Sequence, residues 1–227
     1  MSRHPSSPLL FLSRRKGHEA APHGGPVGRD WVRKRKADRY YRAAKREGFR
    51  SRAAFKLLQI DQRFELLYEG DTVVDLGAAP GGWSQVARGL VGDSGRVVAV
   101  DLVRPSPLEG VEFVRGDVSD PALPDALAQV VSDVHTVLSD VAPHLSGNRT
   151  ADHARSAALV RDAFRVAQRL LRPGGCFVAK VFQGEELPAL KKELQTVFTE
   201  VRVHAPRASL QESRETYLVA KGFRPTR

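Results

Sequence analysis

Five residues near the ends of short β-branched runs carry the chemistry legible in this sequence. Asp75 lies in the run 72–76, Asp101 in 96–102, Asp117 just after 111–115, Asp140 just after 134–139, and Lys180 in 176–182. One acid at a strand end is commonplace and often caps the helix that follows. Four on consecutive strands, with a lysine on the next, exceed what capping requires. The first leads into a glycine-rich turn, Asp75-Leu76-Gly77-Ala78-Ala79-Pro80-Gly81-Gly82-Trp83-Ser84. The turn is neither the G-x-G-x-x-G of dinucleotide binders nor a P-loop, because no Gly-Lys-Ser/Thr follows. Its glycines would let backbone approach a ligand closely, and the first amides of the next helix can receive an anion such as a carboxylate. Asp101 is placed like the acid that holds ribose hydroxyls in doubly wound folds. The turn alone suits a simple strand-to-helix connection equally well. The turn with Asp101 and Asp117 points to a nucleoside ligand. Lys180 stands in the apolar run Phe177-Val178-Ala179-Lys180-Val181-Phe182. Desolvation there favours a neutral amine, which could act as a base; a lysine snorkelling from a strand end is the plainer reading.

Those positions require a scaffold. Strands are expected at 72–76, 96–102, 111–115, 134–139, 176–182, 200–204 and 216–220, with helices between them at 83–90, 124–131, 154–171 and 187–198. Pro173-Gly174-Gly175 is expected to stop the longest helix. Two further helices are expected at 38–47 and 51–64, the second with Ser51 as its cap and with Phe55, Leu58 and Phe64 on one face. Alternating strands and helices imply an α/β fold with a mostly parallel, doubly wound sheet. Ligands then bind beyond the carboxyl ends of the strands, near the switch in strand order.

The 227 residues include 36 Lys and Arg against 26 Asp and Glu, a net +10. Residues 1–56 hold 16 basic and 4 acidic side chains, a net +12; the remaining 171 hold 20 and 22, a net −2. A nearly neutral body behind a basic segment points to a polyanionic partner, and a solvated tail is the bland alternative. Residues 1–37 lack an apolar period and read as a basic, disordered tail, with residues 38–227 as one domain whose basic N-terminal helices could bind a polyanion, either a nucleic acid such as RNA or an anionic membrane. Arg33, Lys34, Arg35, Lys36, Arg39, Arg42, Lys45, Arg46, Arg50 and Arg52, interleaved with Trp31, Tyr40 and Tyr41, could contact phosphates and stack on unpaired bases. Apolar segments fall short of the ~18 residues of a spanning helix, so no membrane partner is expected. The single cysteine, Cys176, excludes an internal disulfide and a multi-cysteine zinc site. It fits a reducing, cytoplasmic setting.

Four segments together, D-L-G-A-A-P-G-G-W-S, S-D-V-A-P, G-G-x-F-V-A-K-V-F-Q-G and S-R-E-T-Y-L-V-A, resemble the bacterial heat-shock (FtsJ-like) RNA methyltransferase family across about residues 38–222. The resemblance implies a Rossmann-like class I S-adenosyl-L-methionine-dependent methyltransferase fold of seven strands, with an antiparallel last strand. It implies methylation of a ribose 2′-hydroxyl, expected to be a uridine's, in large-subunit ribosomal RNA late in ribosome assembly. The partner would be that RNA within a large ribosomal subunit or its precursor, and no metal is implied. The family's catalytic set falls here on Lys56, Asp140, Lys180 and Glu215. Its cofactor contacts fall on Gly81, Trp83, Asp101, Asp117 and Asp140. Away from that match, Lys56 would be an ordinary helix lysine, Glu215 an edge-strand residue, and Trp83 packing as readily as a ligand contact. Transfer RNA as substrate, or a non-catalytic ribosome assembly factor, are the alternatives; Gly48-Phe49-Arg50-Ser51-Arg52 and Val181-Phe182-Gln183-Gly184 resemble the ribosomal members.

Overall fold

The computed structural model describes residues 40–209 and 214–225. The expected tail, residues 1–37, lies outside them, as do Trp31, Arg33, Lys34, Arg35, Lys36 and Arg39. The valine-rich runs form a single seven-stranded sheet: β1 (Thr72–Leu76), β2 (Arg96–Asp101), β3 (Val111–Arg115), β4 (Val134–Ser139), β5 (Leu171–Phe182), β6 (Phe198–His204) and β7 (Glu215–Phe223). Their order is β3-β2-β1-β4-β5-β7-β6. The first four pairings are parallel, and β7 runs antiparallel to both β5 and β6. The doubly wound α/β sheet with an antiparallel last strand is therefore present. Strand order reverses between β1 and β4, which opens a crevice at their carboxyl ends.

Helices cover both faces. They are α1 (residues 40–46), α2 (Ala54–Phe64), α3 (Gly82–Val91), α4 (Leu123–Ala128), α5 (Arg149–Leu170) and α6 (Glu186–Gln195). The period of two along each strand divides the core. Val74, Leu76, Val98, Val100, Val137 and Phe177 face α4, α5 and α6, whereas Val73, Val97, Leu138, Val178 and Val219 face α2 and α3. Strands buried on both faces read as continuous apolar runs, which is why their positions were legible. Among the described residues no helix is long and apolar enough to cross a membrane.

Element ends depart from expectation for identifiable reasons. Helix α5 starts at Arg149, five residues earlier than expected, because Asn148 caps it by accepting the Ala151 amide at 3.2 Å. The chain turns extended at Leu171, so Pro173-Gly174-Gly175 does not end the helix. Those residues lie inside β5, whose register against β4 shifts between Val134 and Thr136, and Gly174 there has φ +82°. Ser51 is not the cap of α2: Ala53 holds that position without a side-chain bond, and the buried Ser51 hydroxyl oxygen lacks a hydrogen-bond partner. Strand β7 is an interior strand, paired with both β5 and β6, although Glu215 at its start pairs only with Phe182 of β5.

Candidate active site

Beneath the glycine turn, alternation sends Asp75 and Leu76 to opposite sides of β1. Asp75 is fully buried on the α3 side, where its Oδ2 accepts the Ser84 hydroxyl at 2.6 Å. Its Oδ1 has no partner. Burial, with Asp140 and Asp101 nearby, pushes this carboxyl up to about 7 against the bonds from Ser84. Asp75 is thus not part of the acidic edge expected from the strand ends; it supports the turn from below. The turn itself passes under the loop after β4. Gly77 has φ +73°, and a Cβ there would meet the Val141 side chain at 2.7 Å. The Ala79–Pro80 bond is cis, and Gly81, at φ +107°, is the N-cap residue of α3.

A cleft of about 410 Å³ opens over the carboxyl ends of β1, β2 and β4. Asp101, Asp117 and Asp140 line it, with Gly77, Ala79 and Pro143 among its walls. Asp101 is fixed by two backbone amides, Ala79 to Oδ2 and Val103 to Oδ1, each at 2.9 Å. Asp117 Oδ1 accepts the Ser119 amide at 2.9 Å. Gly81 borders a smaller recess beside Arg50 and Phe113. Trp83 is buried: its indole N–H donates to the Ala53 carbonyl at 2.9 Å and its ring lies 5.6 Å from that of Tyr217. Its side chain serves packing, so a ligand contact by Trp83 falls to its backbone.

Lys56, Asp140, Lys180 and Glu215 arrive from four separate elements. Lys56 Nζ, on the buried face of α2, donates to Glu215 Oε2 at 2.7 Å. Lys180 Nζ, buried near the end of β5, lies 3.2 Å from Asp140 Oδ1 and 2.5 Å from the Asp140 carbonyl oxygen. Asp140 is held over β1 by its amide, which donates to the Leu76 carbonyl at 3.2 Å. Two ammonium groups and two carboxylates thus form two ion pairs of net charge zero.

Tyr217 joins the pairs and was missed in the sequence. It stands opposite Lys180 in the β5–β7 register, and its hydroxyl donates to Asp140 Oδ1 at 2.9 Å. The Lys56 ammonium lies 6.0 Å from its ring centroid. Burial, with Asp140 next to it, pushes the Tyr217 hydroxyl well above its ordinary value, so it stays a proton donor. The available signal was the strand period: a residue two past Glu215 must share its face.

The basic groups divide. Arg50, expected as a phosphate contact, is engaged by backbone: its guanidinium donates to the carbonyls of Pro80, Ser106 and Pro107. Tyr40 packs on Phe55 at 5.5 Å, whereas Tyr41 is exposed with the Lys45 ammonium 5.0 Å from its ring. Among the described residues no group of three or more His, Cys, Asp or Glu is placed to hold a metal ion.

Comparison with known proteins matches these features to one family. Residues 49–223 fit the model of the FtsJ-like methyltransferases. The chain is 49% identical over 191 residues to the Archaeoglobus fulgidus protein named ribosomal RNA large subunit methyltransferase E, covering 84% of this chain and 98% of that one. It is 46% identical over 196 residues to the protein of the same name from Hahella chejuensis, covering 86% and 95%. Archaeal relatives thus match at least as well as this bacterial one, so the motifs are not specifically bacterial. Among solved structures, a provisionally named ribosomal RNA methyltransferase from Plasmodium falciparum superposes with a TM-score of 0.70 at 26% identity, over 78% of this chain and all of that one. The fold alone is shared with Aeropyrum pernix fibrillarin, solved with S-adenosyl-L-methionine bound, at a TM-score of 0.52 and 21% identity over 75% and 74% of the two chains. With the family's model spanning most of its length, the chain belongs to the FtsJ-like methyltransferases.

Proposed function

We propose that the protein transfers a methyl group from S-adenosyl-L-methionine to a ribose 2′-hydroxyl of large-subunit ribosomal RNA. The observation that carries this reading is the meeting of Lys56, Asp140, Lys180 and Glu215 beside a cleft lined by Asp101 and Asp117. The cleft's volume suits a nucleoside-sized ligand, for which pockets run ~300–1,000 Å³. Each Asp101 oxygen accepts one amide and keeps a lone pair free for a ribose hydroxyl. Asp117 would hold the base end, while Asp140 and the backbone amide of Trp83 would hold the amino-acid end; Gly81, whose own amide donates to the Ala78 carbonyl at 2.6 Å, would serve by letting the turn approach the ligand closely. S-adenosyl-L-methionine bound there supplies an electrophilic methyl group.

The chain's own part concerns the acceptor's proton. A ribose hydroxyl is a weak nucleophile until its proton is taken or steered away. Lys180, an ammonium in its ion pair with Asp140, would first release a proton to solvent; its free amine would then take the hydroxyl's proton on Nζ and return to the ammonium that Asp140 holds through Oδ1 and its main-chain carbonyl. Tyr217 limits how far Asp140 can swing, because its hydroxyl occupies the same Oδ1. Glu215 holds Lys56 in place, so a second positive charge stays fixed nearby.

The names borne by the relatives favour ribosomal over transfer RNA. Both lysines and both acids are in place, which disfavours a non-catalytic assembly factor. Action at a uridine, late in large-subunit assembly and in the cytoplasm, follows from the family resemblance. The test uses radiolabelled cofactor with separated ribosomal and transfer RNA. Label in large-subunit RNA that survives alkaline hydrolysis as a methylated dinucleotide is expected; label confined to transfer RNA, or none, would refute the reading. Lys180→Arg should lose at least the ~100-fold typical of a removed general base, since a guanidinium stays protonated. A variant rate close to wild type at saturating substrates would make Lys180 a fixed charge.

A further inference from the structure

Two residues beyond Lys180 on β5 stands Phe182, and two residues before Tyr217 on β7 stands Glu215; these two face each other in register. The step along each strand is ~7 Å. At that point a second pocket, of about 230 Å³, opens, and it shares no lining residue with the cofactor cleft. Glu215 borders this pocket, as Asp140 borders the cleft. Phe182 and Leu145 supply apolar wall, Arg149 and His153 come from α5, and Arg214 precedes β7. The volume is below the ~300–1,000 Å³ of a whole-ligand site, so it suits part of a larger molecule.

The side chains around it are unequally committed. Asp152 is occupied: its Oδ1 accepts the Ser146 amide at 2.9 Å and the Ser146 hydroxyl at 2.8 Å. Glu215 holds Lys56. Arg149 and Arg214 are exposed, and among the described residues neither forms an ion pair. The pocket's two carboxylates are thus taken up by other partners, Asp152 by Ser146 and Arg155 and Glu215 by Lys56, and its two guanidinium groups have no carboxylate in direct contact among the described residues. Leu145 is 72% exposed, a large apolar side chain at the rim of a reactive site. His153 packs against Gly184, where a Cβ would meet its Nδ1 at 2.3 Å.

Resting on the functional reading above, we propose that this pocket is the subsite of the acceptor nucleotide: its base lies against Leu145 and Phe182, and an adjoining phosphate is held by Arg149 and Arg214. The chemistry fits each part. An unpaired base offers a flat apolar face, and planar guanidinium forks match phosphate oxygens. The placement puts the ribose between base and phosphate over the ion pairs.

Arg149→Gln and Arg214→Gln, both at exposed positions, test the charge. Gly184→Ala tests the shape, since the added methyl group forces His153 to move. The probes are unmethylated large ribosomal subunits and the RNA extracted from them. Each arginine variant is expected to raise the KM for RNA about tenfold and to reduce the slope of log affinity against log salt by ~0.7, the loss of one phosphate contact on a single strand. Gly184→Ala should raise the same KM with an unchanged salt slope. All three should bind S-adenosyl-L-methionine as wild type does. Unchanged KM and salt slope in both arginine variants, with wild-type protein methylating the RNA, would overturn the subsite alone. Failure of the wild-type protein to methylate either probe would overturn the functional reading, and the subsite with it.

Discussion

Replacing Asp75 by asparagine should make the protein's stability less sensitive to pH. The carboxyl is wholly buried under the glycine turn, one of its oxygens has no partner, and its protonation lies at about 7 against 3.8 for an ordinary aspartate. Between those values the folded chain holds a proton that the unfolded chain has released. Stability falls with rising pH wherever the native state binds more protons, so this one group costs stability as pH climbs from about 4 to about 7. The gap of about 3 units, at 1.36 kcal/mol each, sets an upper figure of ~4 kcal/mol. Asparagine has nearly the same shape, can still accept the Ser84 hydroxyl through its oxygen, and carries no charge to desolvate.

The assay is urea unfolding of both proteins at intervals from pH 4.5 to 8, plotted as the difference between variant and wild type. Every other titrating group cancels in that difference, because both proteins share it. The curve should rise in favour of the variant up to about pH 7, by ~1–4 kcal/mol, and level off between there and pH 8. A flat difference curve would refute the argument: it would mean that Asp75 is ionised in the fold at low pH, stabilised by something other than Ser84.

Three further outcomes follow from the same geometry. Asp101→Ala should weaken S-adenosyl-L-methionine binding by ~1–3 kcal/mol, since it removes the proposed ribose acceptor and frees the Ala79 and Val103 amides; calorimetry at wild-type affinity would exclude the assignment. Glu215→Gln should destabilise the fold more than the double change Lys56→Met with Glu215→Gln, because only the single variant leaves a buried ammonium without its carboxylate; denaturant midpoints in the reverse order would contradict this. Deleting residues 1–37 should leave cofactor affinity unchanged and weaken RNA binding, most at low salt, with a slope smaller by ~0.7 for each phosphate the segment neutralises; an identical slope would show that the segment does not touch RNA.

The strands were legible because burial on both faces forces runs such as Val97-Val98-Ala99-Val100 that few other structures need. The acids at their ends were legible because the topology brings every parallel strand's carboxyl end to one edge. What stayed hidden depended on contacts distant in sequence. Asp75 looks like Asp101 and Asp140 in the sequence, and only the alternation of β1 and the approach of Ser84 from α3 separate it from them. Arg50 looks like its basic neighbours, yet its charge is taken up by carbonyls more than fifty residues away. The early start of α5 was signalled locally, by Asn148, but that residue sits among several polar residues with similar capping ability.

The reversed strand explains how the site closes. In β1, β2 and β4, which run parallel, side chains reach the working edge only from a carboxyl end, and β5 supplies Lys180 in the same way. A further parallel strand would have brought its own last residues there. Because β7 runs antiparallel, its opening residues arrive instead, which is why Glu215-Thr216-Tyr217 works from a strand's beginning whereas Ser139-Asp140 works from a strand's end. The register is then decisive. Tyr217 faces Lys180 on the side covered by α2 and α3, where Glu215 meets Lys56, and Glu215 faces Phe182 at the edge next to the start of α5. A slip of one residue would turn Glu215 and Tyr217 to the α5 side of the sheet and carry Val219 out of its core with them. The apolar residues of β7 thus fix the position of the two polar ones, and the core holds the ion pairs in place without any contact to the reacting groups.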